Sequence, residues 1–124
     1  LVTPPRPVEI GPKFLLKVLD ENNVETDQVT LGKDGFLEIT FEPNEDVETN
    51  IGLKVTDIFA TDLEGRNQVQ LYDHNGCPVD ENVKALIRPD KRRIMAKIKF
   101  FGFPDSERVF YKGLVKPCVG DCEA

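Results

Sequence analysis

Short runs of strict alternation between apolar and polar side chains recur along the chain, and a period of two is the signature of half-buried strands. Leu37, Ile39 and Phe41 share one face of Phe36–Glu42, with Glu38, Thr40 and Glu42 on the other. Ile51, Leu53 and Val55 are opposed by Lys54 and Thr56, and Val69 and Leu71 by Gln68 and Gln70. Ile94, Ala96, Ile98 and Phe100 alternate with Lys97 and Lys99, and Val109, Tyr111 and Val115 interleave with Phe110, Lys112, Leu114 and Lys116. Ahead of these, Phe14, Leu16 and Val18 share a face opposite Lys13 and Lys17, while Leu15 and Leu19 break the pattern. No stretch carries a convincing helical period.

Turn chemistry separates the runs. Asp20-Glu21-Asn22-Asn23, Gly32-Lys33-Asp34-Gly35, Glu42-Pro43-Asn44-Glu45-Asp46, Glu64-Gly65-Arg66-Asn67, His74-Asn75-Gly76 and Phe103-Pro104-Asp105-Ser106 are rich in residues that accept turn conformations. Six or seven short strands so spaced predict an all-β fold, a Greek-key β-sandwich ahead of a barrel. The weakest stretch, Pro78–Pro89, reads as a long loop or a short helical turn. One domain is expected from about Ile10 to Cys122, without internal repeats.

Composition narrows the function. The chain has 124 residues, enough for one core, and no apolar run approaches the ~20 residues of a membrane span. Sixteen basic against twenty-two acidic side chains give a net charge of −6, the opposite of a nucleic-acid binder's balance. Lys91-Arg92-Arg93 is the one basic cluster, and it reads as a solvated strand edge or loop.

Catalytic chemistry is sparse. The single His, His74, sits in a turn without the nucleophile and orienting partner that a catalytic base requires. No nucleophile elbow, zinc-protease helix or phosphate loop is present, so no catalytic residue and no cofactor is expected. The oxygen-rich run Asp20–Asp27 lacks the spacing of a calcium loop, and no metal site is predicted there. No N-glycosylation sequon occurs.

Cys77, Cys118 and Cys122 fit zinc spacings poorly and fit an extracellular disulfide framework better. A bridge from Cys77 to either later cysteine closes a long loop and is worth about 4 kcal/mol on a chain-entropy argument. Three thiols leave one over.

Several phrases together resemble the C-terminal half of the zona pellucida (ZP) domain, most nearly its invertebrate apical-matrix and cuticle members (Dumpy-like and cuticlin-like). They are Ile58-Phe59-Ala60-Thr61-Asp62, Tyr72-Asp73-His74-Asn75-Gly76-Cys77-Pro78-Val79-Asp80, Phe101-Gly102-Phe103, Val109-Phe110-Tyr111-Lys112-Gly113 and Cys118-Val119-Gly120-Asp121-Cys122. The resemblance covers nearly the whole chain, and its most specific phrase is the Asn-Gly-Cys-Pro-x-Asp turn followed by the terminal cysteines. It implies an inter-domain linker at 1–12, an immunoglobulin-like sandwich over 13–122, and a tail at 123–124 ahead of an expected cleavage site.

Two departures stand out. The family has a cysteine where Ile58 stands and another where Gly113 stands, and these are expected to bond each other across the sandwich. The resemblance also pairs Cys77 with one of the terminal cluster. Cys77–Cys118 and Cys77–Cys122 both remain open, as does Cys118–Cys122 with Cys77 bonded to a cysteine beyond Ala124.

What the resemblance implies is a structural role in an extracellular, secreted or apical matrix, with a parent that is membrane-tethered before cleavage in some family members. ZP domains polymerise into filaments. The implied partners are other ZP-domain protomers, in homo- or heteropolymers, and the chain's own C-terminal propeptide strand, which completes the sandwich until it is cleaved. A sandwich short of one strand exposes unpaired backbone groups that accept a strand. The apolar strand formed by Phe14, Leu15, Leu16, Lys17, Val18 and Leu19 is the expected neighbour of that groove. A different class of function, an adhesion or receptor sandwich, would present the acidic turns Asp20–Asp27 and Glu42–Glu48 to a protein ligand.

Overall fold

The structure is a computed structural model that describes residues 8–9, 14–41, 51–90, 93–104 and 106–119. Among the described residues eight strands follow one another, with no helix. They are β1 (Val8–Glu9), β2 (Phe14–Leu19), β3 (Asp34–Phe41), β4 (Ile51–Thr61), β5 (Gln68–Gln70), β6 (Ile87–Asp90), β7 (Arg93–Lys99) and β8 (Phe110–Val119). They form two antiparallel sheets, one ordered β1-β2-β3-β7-β6 and the other β5-β4-β8. The fold is all-β, as the alternation predicts.

The two inner faces meet in one core. Leu16, Val18, Leu37, Ile39, Ile94, Ala96 and Ile98 come from the first sheet, and Val55, Ile58, Ala60 and Tyr111 from the second. Leu71, Tyr72, Val83, Phe100 and Val109 close it from the connecting segments, all buried. Two elements escape sequence reading. Val8 and Glu9, inside the expected linker, pair with Leu16 and Leu15. Ile87–Asp90, inside the stretch expected as loop or helical turn, forms β6; all four of its residues are exposed, so no alternation marks it.

Connections are fixed by local chemistry. The Asp20 carboxylate accepts the N–H groups of Asn22 at 2.8 Å and Val24 at 3.0 Å, while Asn23 takes a left-handed conformation at φ 63°. The oxygen-rich run is thus occupied with turning the chain. The Tyr72 hydroxyl donates to the carbonyl of Lys84, tying the segment after β5 to the approach to β6, and burial pushes the phenol up to about 12. Gly35 lies where β3 passes under Phe100. A Cβ there would stand 2.4 Å from the Leu19 carbonyl oxygen and 2.4 Å from the Phe100 ring.

No larger residue fits that gap without moving backbone. Gly35→Ala is expected to lower unfolding stability by about 1–3 kcal/mol, the usual cost of overpacking, as read from denaturant-midpoint shifts in chemical unfolding.

Candidate functional site

The second sheet has one central strand, β4, and its geometry turns on a bulge. Register is regular from Ile51↔Val119 to Thr56↔Leu114, then shifts before resuming at Phe59↔Lys112. Asp57 and Ile58 therefore both oppose Gly113, and Asp57 adopts φ 55°, a left-handed conformation that Asp tolerates better than most residues. The extra residue reverses which parity faces inward. Val55 points to the core before the bulge, and Ile58 and Ala60 after it.

Gly113 makes this packing possible. A Cβ at that position would lie 3.1 Å from Ile58 Cγ1 and 3.6 Å from Ile58 Cα, so the isoleucine occupies the space a side chain at 113 would need. The two positions where the resemblance expects cysteines are thus direct neighbours. They lie on adjacent strands of one sheet, however, and a crosslink there would join β4 to β8 instead of crossing the sandwich. Ile58, 1 % exposed, fills the volume left beside Gly113.

The turn after β5 docks on the bulge. The Asp73 carboxylate accepts the N–H groups of Asn75 and Cys77, each at 2.9 Å, and the Asp73 N–H donates to the Cys77 carbonyl at 2.9 Å. The Asp57 N–H donates to the Asp73 carbonyl at 3.0 Å, and a ring nitrogen of His74 lies 3.1 Å from the Asp57 carboxylate. Gly76, at φ 79°, comes so close that a Cβ would stand 3.0 Å from the Val55 carbonyl oxygen. Cys77 ends this turn, exposed, and is bridged to no cysteine among the described residues. Cys118 lies on β8 with its backbone opposite Gly52. The side chain of Cys118 and all of Cys122 lie outside the described residues, and with them the expected bridges.

Charge accumulates beside the bulge. A hydrogen bond from Thr56, another from His74 and the nearby ammonium of Lys116 together hold the Asp57 carboxyl below its ordinary value. Asp62, at the end of β4, is pushed upward by desolvation. The side chain and N–H of Asn67 and the N–H groups of Arg66 and Gly65 outweigh this and hold it low. An open depression beside Asp62 is lined by Arg66, Asn67, Pro104, Ser106 and Arg108, but the carboxylate is spent on its own turn. Among the described residues, no group of three or more His, Cys, Asp or Glu side chains is placed to hold a metal.

The sheet edges differ in kind. β1 has two residues, β5 has three, and β6 has four including Pro89. β8 has ten, and among the described residues it pairs on one side only, with β4. Tyr111 is buried on its inner face and Val115 only half-buried, while Lys112, Leu114 and Lys116 are exposed on the outer face. Leu114 is 53 % exposed. The strand expected beside an open groove, β2, is second in its own sheet, held by β3 along its length and by β1 at Leu15 and Leu16. Its Leu16, Val18 and Leu19 are buried and Leu15 half-buried; the Phe14 side chain lies outside the described residues. The alternation of β8 with Lys112 and Lys116 was in the sequence; which side of that strand would stand unpaired was not.

The sequence matches no known family model and no curated protein.

Two outcomes follow from this geometry. The double substitution Ile58→Cys/Gly113→Cys should form a disulfide between β4 and β8 and stabilise the oxidised chain by about 2–4 kcal/mol over its reduced form. Thiol titration and thermal unfolding with and without reductant check it. A carboxyl whose folded pKa lies below its unfolded one stabilises the fold above the unfolded value, and that contribution is lost as pH falls through the folded value. The stability gap between the native chain and Asp62→Ala should therefore be widest near neutrality and shrink as the pH drops below the ordinary carboxyl value of 3.8, as measured by urea unfolding across acid pH.

Proposed function

We propose that the chain is a structural module of an extracellular matrix protein, equivalent to the C-terminal half of a ZP-type polymerisation domain, and that it works by assembling and not by catalysing a reaction. The observation that carries the reading is β8. It is the longest of the terminal strands among the described residues, ten residues with a ladder on a single side there. An edge of that length is a template for strand addition, most readily over residues 110–116 ahead of Pro117, whereas the other terminal strands β1, β6 and β5 have two, four and three residues.

The inner face beneath β8 supports the same reading. Val115 faces the core yet is only half-buried, as expected of a side chain that an added strand would cover. The partners proposed are other ZP-type protomers and a propeptide strand of the parent chain, which would compete for one edge. An oxidised link from Cys77 to a terminal cysteine belongs to this proposal, as does an extracellular location.

Leu114→Lys tests it by adding a charge to the edge without touching the core. Secreted parent protein carrying this change should remain folded and soluble where the native form is recovered as insoluble filaments, judged by sedimentation and electron microscopy. Equal filament yield from both would overturn the proposal.

A further inference from the structure

We propose that the edge of β8 that faces away from β4, unpaired among the described residues, selects its strand by charge. It takes an extended segment with the pattern acidic, apolar, apolar, apolar, acidic, and it rejects a second copy of itself. The inference rests on β8 being a strand acceptor and adds what kind of strand it accepts.

The outer face of β8 presents Lys112, Leu114 and Lys116 in alternation, all exposed. A strand laid antiparallel along this edge sets its own side chains directly opposite these, within contact distance of cross-strand neighbours. On the β4 side the lysines are not neutralised by a cross-strand acid. Lys116 stands opposite Lys54, and Lys112 opposite Phe59, over whose ring its ammonium lies at 5.9 Å. Asp57 attracts Lys116 from the bulge, but no carboxylate among the described residues forms an ion pair with Lys54, Lys112 or Lys116. The outer face of the second sheet is therefore locally cationic on a chain of net charge −6. An acid opposite each edge lysine and an apolar residue opposite Leu114 satisfy it.

The intervening positions of the added strand fall opposite Gly113 and Val115 and face inward. Val115 is half-buried and needs apolar cover, and Gly113 contributes no side chain of its own. Three consecutive apolar residues between two acids are the result. Within this chain, acids four apart around an apolar centre occur only as Asp34, Phe36 and Glu38, and these are built into β3 between β2 and β7. The occupant is thus an acid-flanked strand that does not come from Leu1–Ala124. Homotypic pairing is disfavoured by the same lysines. Two β8 strands set antiparallel about Leu114 bring Lys112 of each copy against Lys116 of the other.

The test titrates the chain against two labelled peptides, Thr-Glu-Val-Ile-Val-Glu-Thr and Thr-Lys-Val-Ile-Val-Lys-Thr, by fluorescence anisotropy, with hydrogen exchange locating the site. The acid-flanked peptide should bind at least about tenfold tighter, given two cross-strand charge pairs reversed in sign, and should slow exchange of β8 amides. Lys112→Glu/Lys116→Glu, checked for an unchanged unfolding midpoint, should invert the preference. Equal binding of both peptides by both proteins would overturn charge selection and leave strand acceptance standing. Binding of neither peptide would overturn both, and binding without protection of β8 would overturn the assignment to this edge.

Discussion

The bulge in β4 sets which side chains of the second sheet enter the core. With one extra residue against Gly113, the strand carries Val55 inward on one side of the irregularity and Ile58 and Ala60 inward on the other. Remove the extra residue and the register slips by one, which would turn every side chain beyond it to the opposite face. The turn at 73–77 depends on the same irregularity, because the amide that bonds Asp73 belongs to Asp57. Ile58 depends on it too, since the space it fills exists only because Gly113 has no side chain.

From this follows the unequal construction of the two layers. Among the described residues the first sheet has five strands and ends in the short β1 and β6; the second has three and ends in the short β5 on one side and the ten-residue β8 on the other. Sandwich cores are sealed when both layers cover them, and here the cover thins toward β8, where Val115 is left half-buried. The lysines on the outer face of β8 keep such an edge soluble, since charge on an edge strand opposes indiscriminate pairing.

Much of the fold was legible as alternation. β3, β7 and β8 follow the period-two pattern closely because each buries one face and wets the other. The sites were less legible, for physical reasons. β6 has no buried face and so carries no pattern. β4 reads as alternating only up to Thr56, since a bulge is a backbone event that leaves no period behind; Asp57, tolerant of left-handed backbone, is its sole local mark. Strand periodicity also says nothing about which strands are neighbours. The resemblance that set Phe14–Leu19 beside a groove and Ile58 and Gly113 across the layers carries no register either: β2 pairs with β3 along its length and with β1 at Leu15 and Leu16, and Ile58 and Gly113 adjoin on β4 and β8.

The pairing of Ile58 with Gly113 also bears on how the chain reaches its folded state. Where two strands are stitched by sulfur, their union waits on oxidation, a step of seconds to hours that depends on an oxidant and an isomerase. Hydrophobic contact asks for neither. The midpoint of the β4–β8 ladder is held by the packing of Ile58 into the space beside Gly113 and not by sulfur, so reductant leaves that contact intact.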